Sequence, residues 1–220
     1  MELSPIALWL NTACASLDEG IALTIHKLFE AAGGFFTPLM VFISALGKLG
    51  IFLIALGAVM VYFRKTRKMG TAILLGLAFG LLIVNIAVKP LVARPRPFSY
   101  DGSVLQQIWI ATGCHLETDF SFPSGHMNAA SAASMAIFLA GNRKKSWLVF
   151  FFAIAMGISR VYLGIHYATD VFGGAITGGV SGALGYIVAC KLPPIWYELD
   201  FPTLLNRKGG GGGGGRHLKR

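Results

Sequence analysis

Charge is what this sequence has least of. Only 13% of its 220 residues are Asp, Glu, Lys or Arg, against about 25% in soluble globular chains. With 55% hydrophobic residues and a mean hydropathy of +0.64, a water-soluble fold is not expected. Cysteine is also scarce: Cys14, Cys114 and Cys190 are odd in number and too widely spaced for a disulfide framework or a zinc site, so they read as buried or interfacial thiols. The N-terminus has no basic start and no continuous apolar core, and it carries Glu2 and Asp18, so no cleavable signal peptide is expected. The first membrane helix would then serve as its own insertion signal.

Acids are fewer than bases, and the formal charge is +9. Its distribution does not suggest nucleic acid, because Arg207, Lys208, Arg216, Lys219 and Arg220 crowd into the final residues. Residues 201–220 read as a flexible tail in which Gly209–Gly215 is an artificial linker rather than a native element. No nucleic-acid partner is expected.

What the chain has instead is long apolar runs. They fall at about 32–47, 49–63, 69–88, 124–140, 146–163 and 168–190, several near the roughly 20 residues that cross a bilayer as helix. The expected fold is an all-α integral membrane protein: a six-transmembrane-helix bundle over 32–200, with a tight hairpin at Gly47–Gly50 between its first two spans. Residues 1–31 form a preceding segment. There Leu3, Ile6, Leu10, Ala13 and Leu17 recur at helical spacing after Ser4-Pro5, predicting an N-terminal amphipathic helix in the membrane surface. Basic clusters at Arg64–Lys68, Arg143–Lys145 and Lys191 would share one side of six spans. The positive-inside tendency makes that side cytoplasmic, with both termini there and the 95–122 loop outside. Gly174, Gly178 and Gly182 allow close helix approach in the last span, chiefly within the bundle, and the oligomeric state stays open.

The remaining charged groups gather at the opposite end. Lys89, Arg94 and Arg96 end the third span, His126 opens the fourth, Arg160 lies late in the fifth, and His166 and Asp170 begin the sixth. Charge at a helix centre costs at least about 2.5–3.5 kcal/mol, so such a collection needs a reason. Several cations with two imidazoles and one carboxylate suit a multiply charged anion, and phosphate fits best. Ser124 can cap the helix that follows, and Gly125 lets an anion approach its positive end. His166 and Asp170, four apart, allow the carboxylate to fix the imidazole tautomer and strengthen it as a nucleophile. No metal site or cofactor is expected, since the neighbouring cations would repel a metal ion.

Three ordered patterns carry a resemblance. Lys89–Pro97 fits K-x6-R-P, Pro123–His126 is P-S-G-H, and Ser159–Asp170 fits S-R-x5-H-x3-D. In order and spacing they resemble the signatures of the type-2 phosphatidic acid phosphatase superfamily, whose members dephosphorylate membrane lipids. The resemblance implies that His166 attacks phosphorus and forms a phosphohistidine, that Asp170 holds its ring, and that His126 protonates the leaving oxygen and later activates water. It also implies phosphate binding by Lys89, Arg96, Ser124, Gly125 and Arg160. Arg94 occupies a variable position of the first pattern, with no assigned role. Among members of the family the chain looks most like bacterial undecaprenyl pyrophosphate phosphatases, acting on a lipid substrate in the bilayer of the cell (inner) membrane with an extracytoplasmic active site. Phosphatidylglycerophosphate and phosphatidic acid are the alternative substrates, and a membrane transporter is the non-enzyme alternative. The loop from Phe98 to Ser121, with Trp109, is either a flap gating lipid access or a plain anchored loop.

Overall fold

The computed structural model describes residues 3–113 and 117–199, and among them every regular element is helical. In chain order these are α1 (Pro5–Ala13), α2 (Ala15–Ala31), α3 (Thr37–Gly47), α4 (Ile51–Tyr62), α5 (Arg67–Leu81), α6 (Lys89–Val92), α7 (Val104–Ala111), α8 (Gly125–Ala140), α9 (Arg143–Ser146), α10 (Phe150–Tyr162), α11 (Ala168–Lys191) and α12 (Pro194–Glu198). A π-helical stretch, Leu82–Val88, joins α5 to α6 into one run. The expected 201–220 tail and Cys114 lie outside the described residues.

Thr37–Tyr62, Arg67–Ser99, Arg143–Tyr162 and Ala168–Lys191 are each long and apolar enough to cross a membrane. Their outward side chains, such as Phe42, Phe52, Phe151, Ile176 and Ile187, give the bundle an apolar outer surface suited to hydrocarbon. α8, with 16 residues, is shorter than these spans and rich in Ala and Ser, and half of its residues are buried inside the bundle.

The expected hairpin at Gly47–Gly50 is a kink instead. Leu49 and Gly50 both have positive φ, 53° and 68°, which bends the axis without reversing it. At the start of α3, Thr37 meets the Tyr162 hydroxyl at 2.9 Å. Farther along, Gly47 lies against His126 and Met156, where a Cβ would be 2.7 Å from the His126 ring. Leu53 then packs with Ala133 and Ala136, and Gly57 and Val61 lie against Gly70 near the start of α5. These contacts advance steadily from one end of the bundle to the other, so α3 and α4 make one broken pass. Thr37–Tyr62 is thus one of four candidate spans among the described residues, where two separate spans were expected over this stretch. Helices of 11 and 12 residues are each too short to span alone, given the roughly 20 residues a bilayer needs.

One end of the bundle gathers the basic segments. Arg67 donates to the Trp196 carbonyl at 3.1 Å, Trp196 Nε1 donates to Thr71 Oγ1 at 3.1 Å, and Lys68 stands over the Tyr186 ring. The other end carries α1, α2 and α7. The Ser4 side chain caps α1 at the Ala7 N–H, 3.1 Å away, and also bonds the Val92 carbonyl. Ser4, which caps α1, bonds Val92, while α12 bonds Arg67 and Thr71, so these two helices pack at opposite ends of the α5–α6 run. The glycine stripe of α11 faces inward: a Cβ at Gly174 would sit 2.6 Å from the Ser124 carbonyl, and Gly182 and Gly185 meet the backbones of α8 and α5. Close approach within the bundle is thus the use of these small residues.

Candidate active site

The turn between α10 and α11 sets the first imidazole. The Arg160 carbonyl accepts from the Ile165 and His166 N–H groups, and Gly164, at φ 67°, lets the chain turn beneath the α7 backbone. His166 emerges from this turn and Asp170 follows in the first turn of α11. The His166 Nδ1 is 3.3 Å from Asp170 Oδ2, and its Nε2 is 3.0 Å from Arg96 Nη1. A guanidinium only donates, so Nε2 accepts and the ring proton resides on Nδ1, pointing at the carboxylate. The tautomer follows from the partners, and the Nε2 lone pair is the one that accepts from Arg96.

Asp170 is fixed in turn. Its Oδ2 also accepts from the Tyr167 N–H at 3.0 Å and from the Ser121 hydroxyl, while Oδ1 accepts from Arg94 Nη1 at 2.7 Å. Arg94 then reaches Asp18 Oδ2, Asn11 Oδ1 and Thr169 Oγ1, each at 2.8 Å, and its guanidinium lies 3.7 Å from the centre of the Tyr167 ring. Asp18 Oδ1 accepts from the Thr169 N–H at 2.8 Å. Arg94, left without a role by the sequence, is therefore the link between the N-terminal helices and the His166 carboxylate. Asp18 and Asn11 were missed because their partners lie more than 70 residues away. The one signal for Asp18 was an acid on a helix otherwise expected to lie in the interface.

Lys89, Arg96 and Arg160 come together around two acids that the sequence patterns do not include. Glu117 accepts from Arg160 Nη2 at 2.6 Å and Arg96 Nη2 at 3.0 Å. Asp119 pairs with Lys89 and with Arg96, and its carbonyl accepts from Arg96 Nε at 3.0 Å. Arg160 also donates to Ser44 Oγ at 2.5 Å. Burial pushes the Glu117 carboxyl up, but Arg160 and Arg96 outweigh it and hold it at about 2. Asp119 is likewise raised by burial and brought down to about 2 by Lys89 and Arg96. The available signal was that these two acids stand just before Pro-Ser-Gly-His in a charge-poor chain.

His166, His126, Lys89, Arg96, Gly125, Glu117 and Asp119 line one end of a cavity of about 670 Å³, whose other end is lined by Ile54, Leu74, Leu77, Leu81 and Val84. The cavity is therefore amphiphilic along its length. A Cβ at Gly125 would be 3.9 Å from Lys89 Nζ. Ser124 is fully buried and does not line the cavity: its hydroxyl accepts from the Met127 N–H at 3.4 Å and its own N–H donates to the Asp170 carbonyl at 3.0 Å. It joins α8 to α11 and aims Gly125 and His126 at the opening. The Phe98–Ser121 loop is anchored where described: Leu105 and Ile108 are buried, and Trp109 stacks on Phe98 with centroids 4.8 Å apart.

Residues 69–192 match the PAP2 superfamily. The chain is 38% identical over 124 residues to the lipid A 4'-phosphatase of Bacteroides thetaiotaomicron, covering 55% of this chain and 54% of that protein. It is 29% identical over 143 residues to an undecaprenyl-diphosphatase of Sulfolobus acidocaldarius, covering 64% of each. The matches thus span less than two thirds of these curated relatives. The fold is similar to the crystal structure of a transmembrane PAP2-type phosphatidylglycerolphosphate phosphatase from Bacillus subtilis, at a TM-score of 0.64 and 29% identity, covering 86% of this chain and 92% of that one.

Proposed function

The chain belongs to the PAP2 superfamily, and on that footing we propose that it is a membrane lipid phosphatase that cleaves a terminal phosphate through a phosphohistidine, with undecaprenyl pyrophosphate as substrate. The observation that carries this reading is His166 Nε2, 3.0 Å from Arg96, in a cavity that Lys89 and His126 share with a row of apolar side chains from α5. A phosphate beside His166 leaves the rest of the cavity for a hydrocarbon chain. A transporter would spread its charged pairs through the membrane depth, whereas these gather at one end.

In the first step Arg96 Nη1 turns from His166 Nε2 to the phosphate, the freed Nε2 lone pair attacks phosphorus and the bond to the leaving oxygen breaks, while His126 gives that oxygen a proton. The Nδ1 proton stays on the ring, and Asp170 balances the charge that the ring gains. Lys89, Arg96 and Arg160 stabilise the equatorial oxygens, and the Gly125 N–H at the start of α8 adds a fixed dipole. In the second step His126 takes a proton from water, water attacks phosphorus and the N–P bond breaks, releasing inorganic phosphate. No metal enters this scheme, because the charge it would supply is already provided by the cations.

The basic end is read as cytoplasmic by the positive-inside tendency, which places the site and helices α1 and α2 at the extracytoplasmic face of a bacterial cell membrane. Helices α1 and α2 would then lie in the membrane surface, Leu8, Trp9 and Leu17 being exposed apolar residues there. Phosphatidylglycerophosphate is the second reading, favoured by the likeness to the Bacillus subtilis structure.

Phosphate release from both lipids by purified protein, in the presence of a chelator, tests these claims. Turnover is expected to persist in chelator, and its loss there would overturn metal independence. His166→Ala is expected to lower kcat by about 10³-fold or more, and an active variant would end the covalent route. The ratio of kcat/KM values decides between the substrates.

A further inference from the structure

The phosphate site is not open in this structure. Each of its cations is engaged by a carboxylate from the short segment before α8: Glu117 bridges Arg160 and Arg96, and Asp119 bridges Arg96 and Lys89. Two carboxylates thus present oxygens to the same donors that would cradle phosphoryl oxygens, and both line the cavity with His126 and His166.

We propose, resting on the phosphatase reading above, that Glu117 and Asp119 are built-in competitors for the phosphate site, which singly charged phosphodiesters fail to displace and doubly or triply charged terminal phosphates do displace. The need for such a device comes from the surroundings. A cluster of three cations at headgroup depth faces a great excess of ordinary phospholipids, whose diester phosphates carry one negative charge. Left bare, that cluster would be filled by them. Two carboxylates supply two negative charges, so exchanging them for a diester loses charge complementarity, while a monoester dianion keeps it and a terminal diphosphate improves it.

The geometry suits exchange rather than permanent locking. The side chains of Glu117 and Asp119 are 27% and 52% exposed, so they can swing into solvated space at small desolvation cost. The Asp119 carbonyl still holds Arg96 Nε at 3.0 Å when its carboxylate leaves, which keeps Arg96 aimed. With both carboxyls held down at about 2, displacement comes from the charge of the incoming group and not from protonation near neutral pH.

The test uses full-length wild type, Glu117→Gln, Asp119→Asn and the double variant in proteoliposomes. Inorganic phosphate is one inhibitor, and a rising mole fraction of dioleoylphosphatidylglycerol, a phosphodiester lipid, is the other. Wild type is expected to turn over lipid phosphate, to be inhibited by inorganic phosphate and to be insensitive to the diester. In the double variant the inhibition constant for inorganic phosphate is expected to fall about tenfold, with new inhibition by the diester lipid. Unchanged constants in variants with normal thermal unfolding would overturn the proposal, as would wild type that is as diester-sensitive as the variants. Asp119→Asn, at the more exposed position, carries the test if the double variant does not fold. Failure of the phosphatase reading is separate: wild type would then release no phosphate from any lipid offered.

Discussion

Arg94 and Arg96 stand two residues apart in one sequence pattern, and each is bound to two carboxylates. Around Arg94, the side chains of the arginine, Asp18 and Asp170 are at most 2% exposed. Around Arg96 the arginine is just as buried, but its acids Glu117 and Asp119 border the cavity. The chemistry of the pairs is the same; the exposure of the acid differs. A buried carboxylate has nowhere to go, so the Arg94 cluster is a scaffold that fixes Asp170 and through it His166. A carboxylate at a cavity wall has water and substrate as alternatives, so the Arg96 cluster is exchangeable.

The contrast can be broken most directly at Arg94. Arg94→Ala leaves Asp18 and Asp170 buried beside each other without their cation, and it is expected to cost about 3–5 kcal/mol of stability with loss of turnover; thermal unfolding in detergent checks it. A variant that unfolds like wild type would show that the closed cluster is no scaffold. Asp18→Asn is milder. It loosens Arg94 at a residue remote from the substrate, so kcat is expected to fall about tenfold with KM nearly unchanged; a change confined to KM would place Asp18 in contact with substrate instead. On the open side, Glu117→Gln is expected to cost less stability than Arg94→Ala, because Glu117 borders the cavity and Asp119 still pairs with Arg96, and the same unfolding measurement provides the comparison.

The smallest expected effect is in pH. The Glu117 carboxyl lies at about 2 against an ordinary 4.5. A depressed carboxyl contributes stability above its unfolded value, and that contribution is lost as pH falls from about 4.5 towards about 2. The difference in stability between wild type and Glu117→Gln is therefore expected to be flat from pH 8 to about 5 and to shrink only below that. A change near pH 6 would indicate that a histidine, not Glu117, governs the open cluster.

Much of the site was legible because its side chains sit at fixed short spacings. His166 and Asp170 are four apart, and Gly125 and His126 stand at a helix start that Ser124 caps. The spacing of Lys89 and Arg96 likewise put both at the end of one helical run. Ser124 was legible as a cap, while its distance from the cavity was not, since a hydroxyl facing inward or outward gives the same sequence. The kink at Gly47–Gly50 was misread as a hairpin because a Gly-Lys-Leu-Gly break looks alike whether the chain reverses or bends. Only the succession of neighbours, Tyr162, His126, then Ala133 and Ala136, separates the two.

The sequence by itself determined that the chain is helical and apolar, and it singled out the imidazoles and cations of the candidate site, because hydropathy and short-range spacing are local properties of the chain. Tertiary structure alone decided that α3 and α4 run on as one bent span, the docking of α1 and α2 onto the site through Asp18 and Arg94, and the engagement of the cations by Glu117 and Asp119. Those outcomes depend on which distant side chains share a buried volume, and burial is a property of the packed bundle rather than of any segment within it.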